Sequence, residues 1–377
     1  MAKFVEKIKA FKEWKLVDFP FLFTLLILLA IGLIALSSAS SYYALTETGD
    51  SMYYLKRQLM FAGIGLLGMV VAFFTEKKTY KRWSYVAFIV SIGLMALVEV
   101  PGLGVTVKGA KRWLNLGIFQ FQPSEVLKLG LIMAMARYIS DNQKIMKSWK
   151  GYLAPLGFLA VSALFLYFQS HMSATLVMGV IFIVIILASG IKINWKIVIP
   201  VGIVAIAAVL VFFLSEDYRR ERITSFLNPE VDITGSNWQP TQSLYAIGSG
   251  GFFGRGLGQS RQKYLWLPEA QNDFVFSVYA EEFGFLGAFV VVALFTILVY
   301  RGVAISLKSK DMYGLLVTLG IIGMFAFQII VNIAVVTKSC PTTGMPLPFF
   351  SYGGTSLLIN LVAMGMVLGV SKDDQKG

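Results

Sequence analysis

Residues 19–38 read FPFLFTLLILLAIGLIALSS, a run without a single charge. That length matches the roughly 20 residues a helix needs to cross a hydrocarbon core of about 30 Å. Outward from this segment the pattern recurs. Spans are expected at Phe19–Ser38, Gln58–Phe74, Trp83–Val100, Pro123–Tyr138, Tyr152–Phe168, Met172–Gly190, Trp195–Leu214, Phe274–Tyr300, Tyr313–Thr337 and Met345–Val370. The pair flanking Gln169–Met172 is read as two spans joined by a tight turn; a kink in one long helix is the alternative. The expectation is an all-α polytopic membrane protein of about ten transmembrane helices.

Composition agrees. The 377 residues are 56% hydrophobic and 14% charged, against about 25% charged in soluble domains. A soluble, disordered, collagen-like or coiled-coil chain is excluded. One cysteine, Cys340, forbids an intrachain disulfide, and one histidine, His171, forbids a site built from several. The net charge is +12. Lysine and arginine concentrate at the N-terminus and on alternate connections, which puts both termini in the cytoplasm. The basic start, residues 1–18, reads as a short amphipathic helix on the inner leaflet or, more simply, as a positive-inside anchor. The apolar run after it is too long for the core of a cleaved signal, and further spans follow.

Two outer connections are too long for turns: 101–122 and 215–273. Loops of this length are usually functional. Short helices and turns are expected there, packed on the bundle. The cluster Gly248, Gly250, Gly251, Gly254, Gly256, Gly258 fits neither a P-loop nor a dinucleotide fingerprint, so turns or close helix contact explain it.

Charges at membrane depth are costly and point to function. Glu125 and Lys128 share one helix face at the start of the fourth span, either as a packing pair or as a binding pair. Asp273 closes the large loop ahead of an apolar stretch. A general base and a helix N-cap are equally good readings of it. Glu281 and Glu282 lie two turns deeper, and at least one should meet a basic partner. Glu269 with Asp273 only superficially suggests a glycosidase pair. His171 reads as an interfacial residue with its bonds satisfied. The segment 341–356 carries Pro341, Pro346 and Pro348, then Ser351, Gly353 and Gly354; it is either a close helix contact or a cavity wall. Together with Lys108, Lys111 and Arg112 these features suggest an outward cavity for a lipid-linked phosphate.

At these motifs the chain resembles the SEDS family (FtsW, RodA, SpoVE). The resemblance rests on KGAKRWLNLGIFQFQPSEVLK (108–128), RRERITSFLNPEVD (219–232), AIGSGGFFGRGLGQSRQKYLWLPEAQNDFVFSVYAEEFGFLG (246–287) and PTTGMPLPFFSYGGTSLL (341–358). The stretch GLGQSRQKYLWLPEA favours the FtsW/SpoVE branch. The resemblance implies one membrane domain over 1–377, with a cytoplasmic tail at 371–377. It implies a peptidoglycan glycosyltransferase that polymerises lipid II into β-1,4 glycan and releases undecaprenyl pyrophosphate. Asp273 takes the position of the family's catalytic aspartate, which deprotonates the acceptor 4-hydroxyl in an inverting reaction. Substrate binding is expected of Lys111, Arg112, Trp113, Gln122, Ser124, Glu125, Lys128, Ser351, Gly353 and Gly354. No resident metal is expected; a divalent ion, Mg or Mn, could ride loosely on phosphate oxygens. Implied partners are a class B penicillin-binding protein, lipid II and other divisome or elongasome membrane proteins, at the plasma membrane and the division septum. No nucleic acid is expected. A lipid II flippase and a non-catalytic activator of the penicillin-binding protein are the competing functions. Asn272, Lys338, Cys340 and Thr355 depart from the family pattern without removing a catalytic group.

Overall fold

The computed structural model describes residues 17–107, 109–115, 117, 119–190, 226 and 237–375. The basic start up to residue 16, the span expected at Trp195–Leu214, the motif 219–232 apart from Phe226, and Lys108 lie outside the described residues.

Ten α-helices and one small sheet occur among them. In chain order they are α1 (Phe19–Thr48), α2 (Tyr53–Phe74), α3 (Lys77–Glu99), strands β1 (Gly104–Val107), β2 (Ala110–Asn115) and β3 (Gln120–Phe121), α4 (Pro123–Asp141), α5 (Leu153–Phe168), α6 (Met172–Ala188), α7 (Trp238–Ser249), α8 (Val275–Leu307), α9 (Met312–Val336) and α10 (Gly354–Gln375). Seven helices are long and apolar enough to cross a membrane. Of the other two expected spans, α6 is apolar but has 17 residues, and α4 carries Glu125, Lys128, Arg137 and Asp141.

Burial explains how α4 tolerates that polarity. It is the central helix, wrapped by α3, α5, α6, α9 and α10, and Leu127, Leu131, Ile132, Ala134 and Met135 are fully enclosed. Elsewhere small residues set the spacing. Helix α10 lies so close to α2 that a Cβ at Gly365 would run into the Met69 carbonyl.

Three expectations need correction, and the tight turn expected at Gln169–Met172 is present. Helix α1 runs ten residues past Ser38, because its polar end packs on the large loop: Ser38, Ser40 and Ala44 are buried, and Tyr42 meets Tyr264 edge-on. The first long connection forms strands. Residues 104–107 and 110–115 pair as an antiparallel hairpin with Val107 opposite Ala110, and Gly109 ahead of the second strand takes a positive φ. The last helix starts at Gly354, nine residues later than Met345. Pro346 and Pro348 cannot donate a helical hydrogen bond, and Phe349 turns the chain at φ 68°. At Gln169–Met172 the chain turns. Ser170 takes φ 49°, its amide donates to Tyr167 O, and the His171 amide donates to Leu166 O. That is the Schellman closure of a helix, so α5 and α6 are two packed elements.

Helix α8 is broken at Gly284 (φ 68°, ψ −167°). The glycine-rich loop fills the break. Arg255 and Gly256 amides donate to the carbonyls of Glu281 and Glu282, while Phe285 and Leu286 amides donate to Gly251 and Phe252. Irregular backbone inside a bundle survives only when its polar groups are re-paired in this way. The side chains add to the lock. Glu281 accepts from the hydroxyls of Ser249 and Ser260 and from the amides of Arg261 and Gln262. Glu282 accepts from Ser38 Oγ, the Ser260 amide and Lys263 Nζ. Of the glycine cluster, Gly250 and Gly254 are close-contact positions, Gly251, Gly254, Gly256 and Gly258 take positive φ, and Gly248 does neither; Lys263 is the basic partner of Glu282.

Candidate active site

A cavity of about 1040 Å³ opens at the end of the bundle that carries the sheet and the large loop. Its walls come from the hairpin (Ala110, Arg112, Trp113, Asn115), the start of α2 (Tyr53, Tyr54, Arg57, Phe61) and the start of α4 (Gln122, Glu125, Lys128). The α5–α6 turn, residues 269–274, residues 343–346 and the Tyr352–Gly354 segment complete it. Three cations (Arg57, Arg112, Lys128) and three carboxylates (Glu125, Glu269, Asp273) line it, so it is polar without being strongly basic.

Asp273 stands one residue ahead of Phe274, the N-cap of α8, so it is not that helix's N-cap residue. Its backbone is pinned. Asn332 of α9 donates one amide proton to Asp273 O and another to Met345 O, both at 2.8 Å. The Tyr352 amide donates to Gln271 O at 2.8 Å, and Ser173 Oγ donates to Thr343 O at 2.6 Å. These bonds fasten the end of the large loop to the proline-rich segment. Opposite the carboxylate lies Gly344 in a positive-φ turn, where a Cβ would stand 3.6 Å from Asp273 Oδ2. The positive φ is what calls for glycine there.

Arg112 is held by the helix end beside it. Its guanidinium donates to the carbonyls of Gln169 and Ser170, at the C-terminus of α5, where carbonyls lack helical partners and the dipole is negative. Lys128 and Glu125 pair at 2.8 Å and are 4% and 5% exposed. A pair so enclosed is held by mutual charge, and losing one member strands the other. Tyr352 contributes a phenol whose pKa is pushed up by burial, so it remains a neutral hydrogen-bonding group.

Asp273, Arg112, Trp113, Gln122, Glu125, Lys128, Gly353 and Gly354 thus share one cavity. Three other expected binding residues do not line it. Lys111 reaches back to the terminal carbonyls of α3, donating to Glu99 O at 2.8 Å. Ser351 is buried and accepts from the Leu347 amide, which closes a turn. Ser124 is fully buried beneath the wall. Other residues had gone unnoticed. Asn332, Gln328 and Gln58 are polar positions inside apolar helices, and that is the signal that could have found them. Gln58 bridges Ser351 O and the Gly353 amide. His171 lines the cavity with an enclosed, unpartnered Nδ1, contrary to its reading as a satisfied residue. Among the described residues, no three of His, Cys, Asp and Glu cluster as metal ligands would.

Known proteins share this architecture. A family model described as "Cell cycle protein", covering FtsW, RodA and SpoVE, matches residues 19–376. Stage V sporulation protein E of Bacillus subtilis is 42% identical over 92% of this chain and 94% of its own length. A probable peptidoglycan glycosyltransferase FtsW of Trichlorobacter lovleyi is 41% identical over 96% of this chain and 95% of its own. Among solved structures, a chain from a peptidoglycan synthase complex that coordinates polymerization and crosslinking superposes with a TM-score of 0.78. It has 29% identity and covers 96% of this chain and 99% of that one. The rod-shape-determining protein RodA of Thermus thermophilus gives 0.71 at 28% identity, over 95% and 97%. With the match spanning nearly the whole chain, this protein belongs to the FtsW/RodA/SpoVE family of cell cycle proteins, the SEDS family, on its FtsW/SpoVE branch.

Proposed function

We propose that the protein is a peptidoglycan glycosyltransferase that polymerises lipid II, with Asp273 as its general base. The observation that carries this is the setting of Asp273: a carboxylate pinned by its backbone, beside Gly344 in the wall of a large polar cavity that also holds Arg112 and Lys128. Asp273 takes the proton of the acceptor sugar's 4-hydroxyl. That oxygen forms a bond to the donor's anomeric carbon as the bond from that carbon to the pyrophosphate oxygen breaks, with inversion. Undecaprenyl pyrophosphate leaves carrying the released charge, and Arg112 and Lys128, with Arg57, are the cavity cations that can stabilise it. Trp113, Gln122, Gly353 and Gly354 shape the walls. A divalent cation, Mg or Mn, would be held by the ligand's phosphate oxygens, since the described residues offer no cluster of three ligands.

The cavity opens on the extracytoplasmic side, both termini face the cytoplasm, and the protein works in the plasma membrane at the division septum beside a class B penicillin-binding protein and other divisome proteins. The bias of lysine and arginine supports the orientation. Likeness to a chain of a peptidoglycan synthase complex supports the partner.

Purified full-length protein with that partner and labelled lipid II should give glycan ladders on a gel. Asp273→Ala should give none while still folding and binding the partner. Ladders from the variant remove Asp273 from the reaction. No ladders from a well-folded native complex, with lipid II moved between leaflets instead, would favour a flippase.

A further inference from the structure

The turn between α5 and α6 sets His171 against the cavity. Its backbone is committed: the amide donates to Leu166 O, and the carbonyl accepts from the amide and hydroxyl of Thr175. The ring is not. His171 is 8% exposed, its Nδ1 is enclosed, and that nitrogen has no hydrogen-bond partner. An enclosed polar nitrogen left unpaired works against folding, and natural chains rarely keep one without a use for it. Nor is this ring sealed in the core. It forms part of the cavity wall with Ser170, Ser173, Arg112, Lys128 and Asp273.

The surroundings also fix its charge. Burial, and then the Arg112 and Lys128 cations, push the imidazole pKa down to about 3. At neutral pH the ring therefore offers one donor and one acceptor nitrogen and no charge. Arg112 and Lys128 already supply charge for a pyrophosphate. An uncharged dipolar group is matched instead to the hydroxyls and acetamido groups of a sugar.

We propose that His171 is a saccharide-binding residue, whose imidazole hydrogen-bonds an uncharged hydroxyl or amide of a sugar ring seated beside Arg112. This rests on the reading of the cavity as a glycosyltransferase site. It assigns the stretch of wall at the α5–α6 turn to the sugar and not to the diphosphate.

The test uses the full chain in detergent, carrying Asp273→Ala so that ligand is bound without turnover. Affinity is measured for lipid II and for undecaprenyl pyrophosphate, which lacks the sugars. Adding His171→Leu should weaken lipid II binding by roughly tenfold to a hundredfold. It should leave undecaprenyl pyrophosphate binding within about threefold, a change under 1 kcal/mol. His171→Gln, which keeps a donor and an acceptor, should restore lipid II binding to within about fivefold of the parent, about 1 kcal/mol. The melting temperature of His171→Leu should equal or exceed the parent's, because no protein hydrogen bond is lost. Equal lipid II affinity with and without His171→Leu overturns the inference. So does an equal loss for both ligands, or a loss of affinity that tracks a lower melting temperature. Turnover by the native complex is read separately. Ladders without His171-dependent binding sink the inference and spare the enzyme. Binding that depends on His171 without ladders does the reverse. No lipid II binding by the parent overturns both.

Discussion

Two polar clusters sit inside this apolar bundle, and they are built differently. Around Glu281 and Glu282 the bonding is dense: Glu281 accepts four hydrogen bonds and Glu282 three, and Lys263 Nζ is shared between Glu282, Ser38 Oγ and Gly258 O. At the cavity, His171 Nδ1 and Thr343 Oγ1 are enclosed without partners, and so is Ser124 Oγ just beneath the wall. The dense bonding of the first cluster holds the fold, and the sparser bonding of the second leaves polar groups at the cavity. Both clusters hold carboxylates at the same end of the same helix, α8, so helix position alone does not distinguish them.

The largest expected effect tests the structural cluster. Glu282→Ala leaves Lys263 enclosed without its counter-charge and should remove about 3–5 kcal/mol of stability, seen as a lower melting temperature in detergent. A loss below 1 kcal/mol would mean that the loop is not anchored there. Next is Gly284→Ala. The new Cβ would collide with Gly254 N, and the backbone sits at φ 68°. A loss of about 1–3 kcal/mol is expected from the strain, with the collision adding to it.

A smaller effect probes His171 through pH. The unfolded imidazole titrates near 6.5 and the folded one at about 3. Between those values the unfolded state binds the proton and the folded state does not. The stability tied to the neutral ring is therefore complete above pH 6.5 and is lost as pH falls toward 3. From pH 6.5 to 5 this amounts to up to about 2 kcal/mol. Thermal scans of His171→Leu should show that much less acid sensitivity than the native chain. Identical acid profiles would contradict the enclosed, neutral ring. Smallest of all, Ser124→Ala should cost no more than about 0.5 kcal/mol of stability, since its hydroxyl has no partner to lose. A cost above 1 kcal/mol would blur the contrast between the clusters.

Much of this was legible in the sequence, for physical reasons that differ by region. Uncharged runs such as 19–38 announce themselves because lipid demands them. Asp273, Glu125 and Lys128 stood out because charge is rare at membrane depth. What stayed hidden depends on contacts distant in sequence. Nothing local to Gln58 tells that it will bridge Ser351 and Gly353, and nothing local to Asn332 tells that it will tie Asp273 to Met345. Lys111 and Arg112 are adjacent and equally basic, but one caps α3 and the other caps α5 from inside the cavity. The hairpin was missed because VTVKGAKRW is short and its turn sits within a basic cluster. The β-branched residues Val105, Thr106 and Val107 were the available signal.

The central claim is that Asp273 removes a proton and does not merely hold the ligand. Asp273→Asn keeps the shape and loses the base, so single-turnover polymerisation and lipid II affinity should separate. The account predicts a rate lower by roughly 100- to 10,000-fold, with affinity within about threefold, a change under 1 kcal/mol. A rate near the native value, or a loss of affinity that accounts for the whole defect, would contradict it.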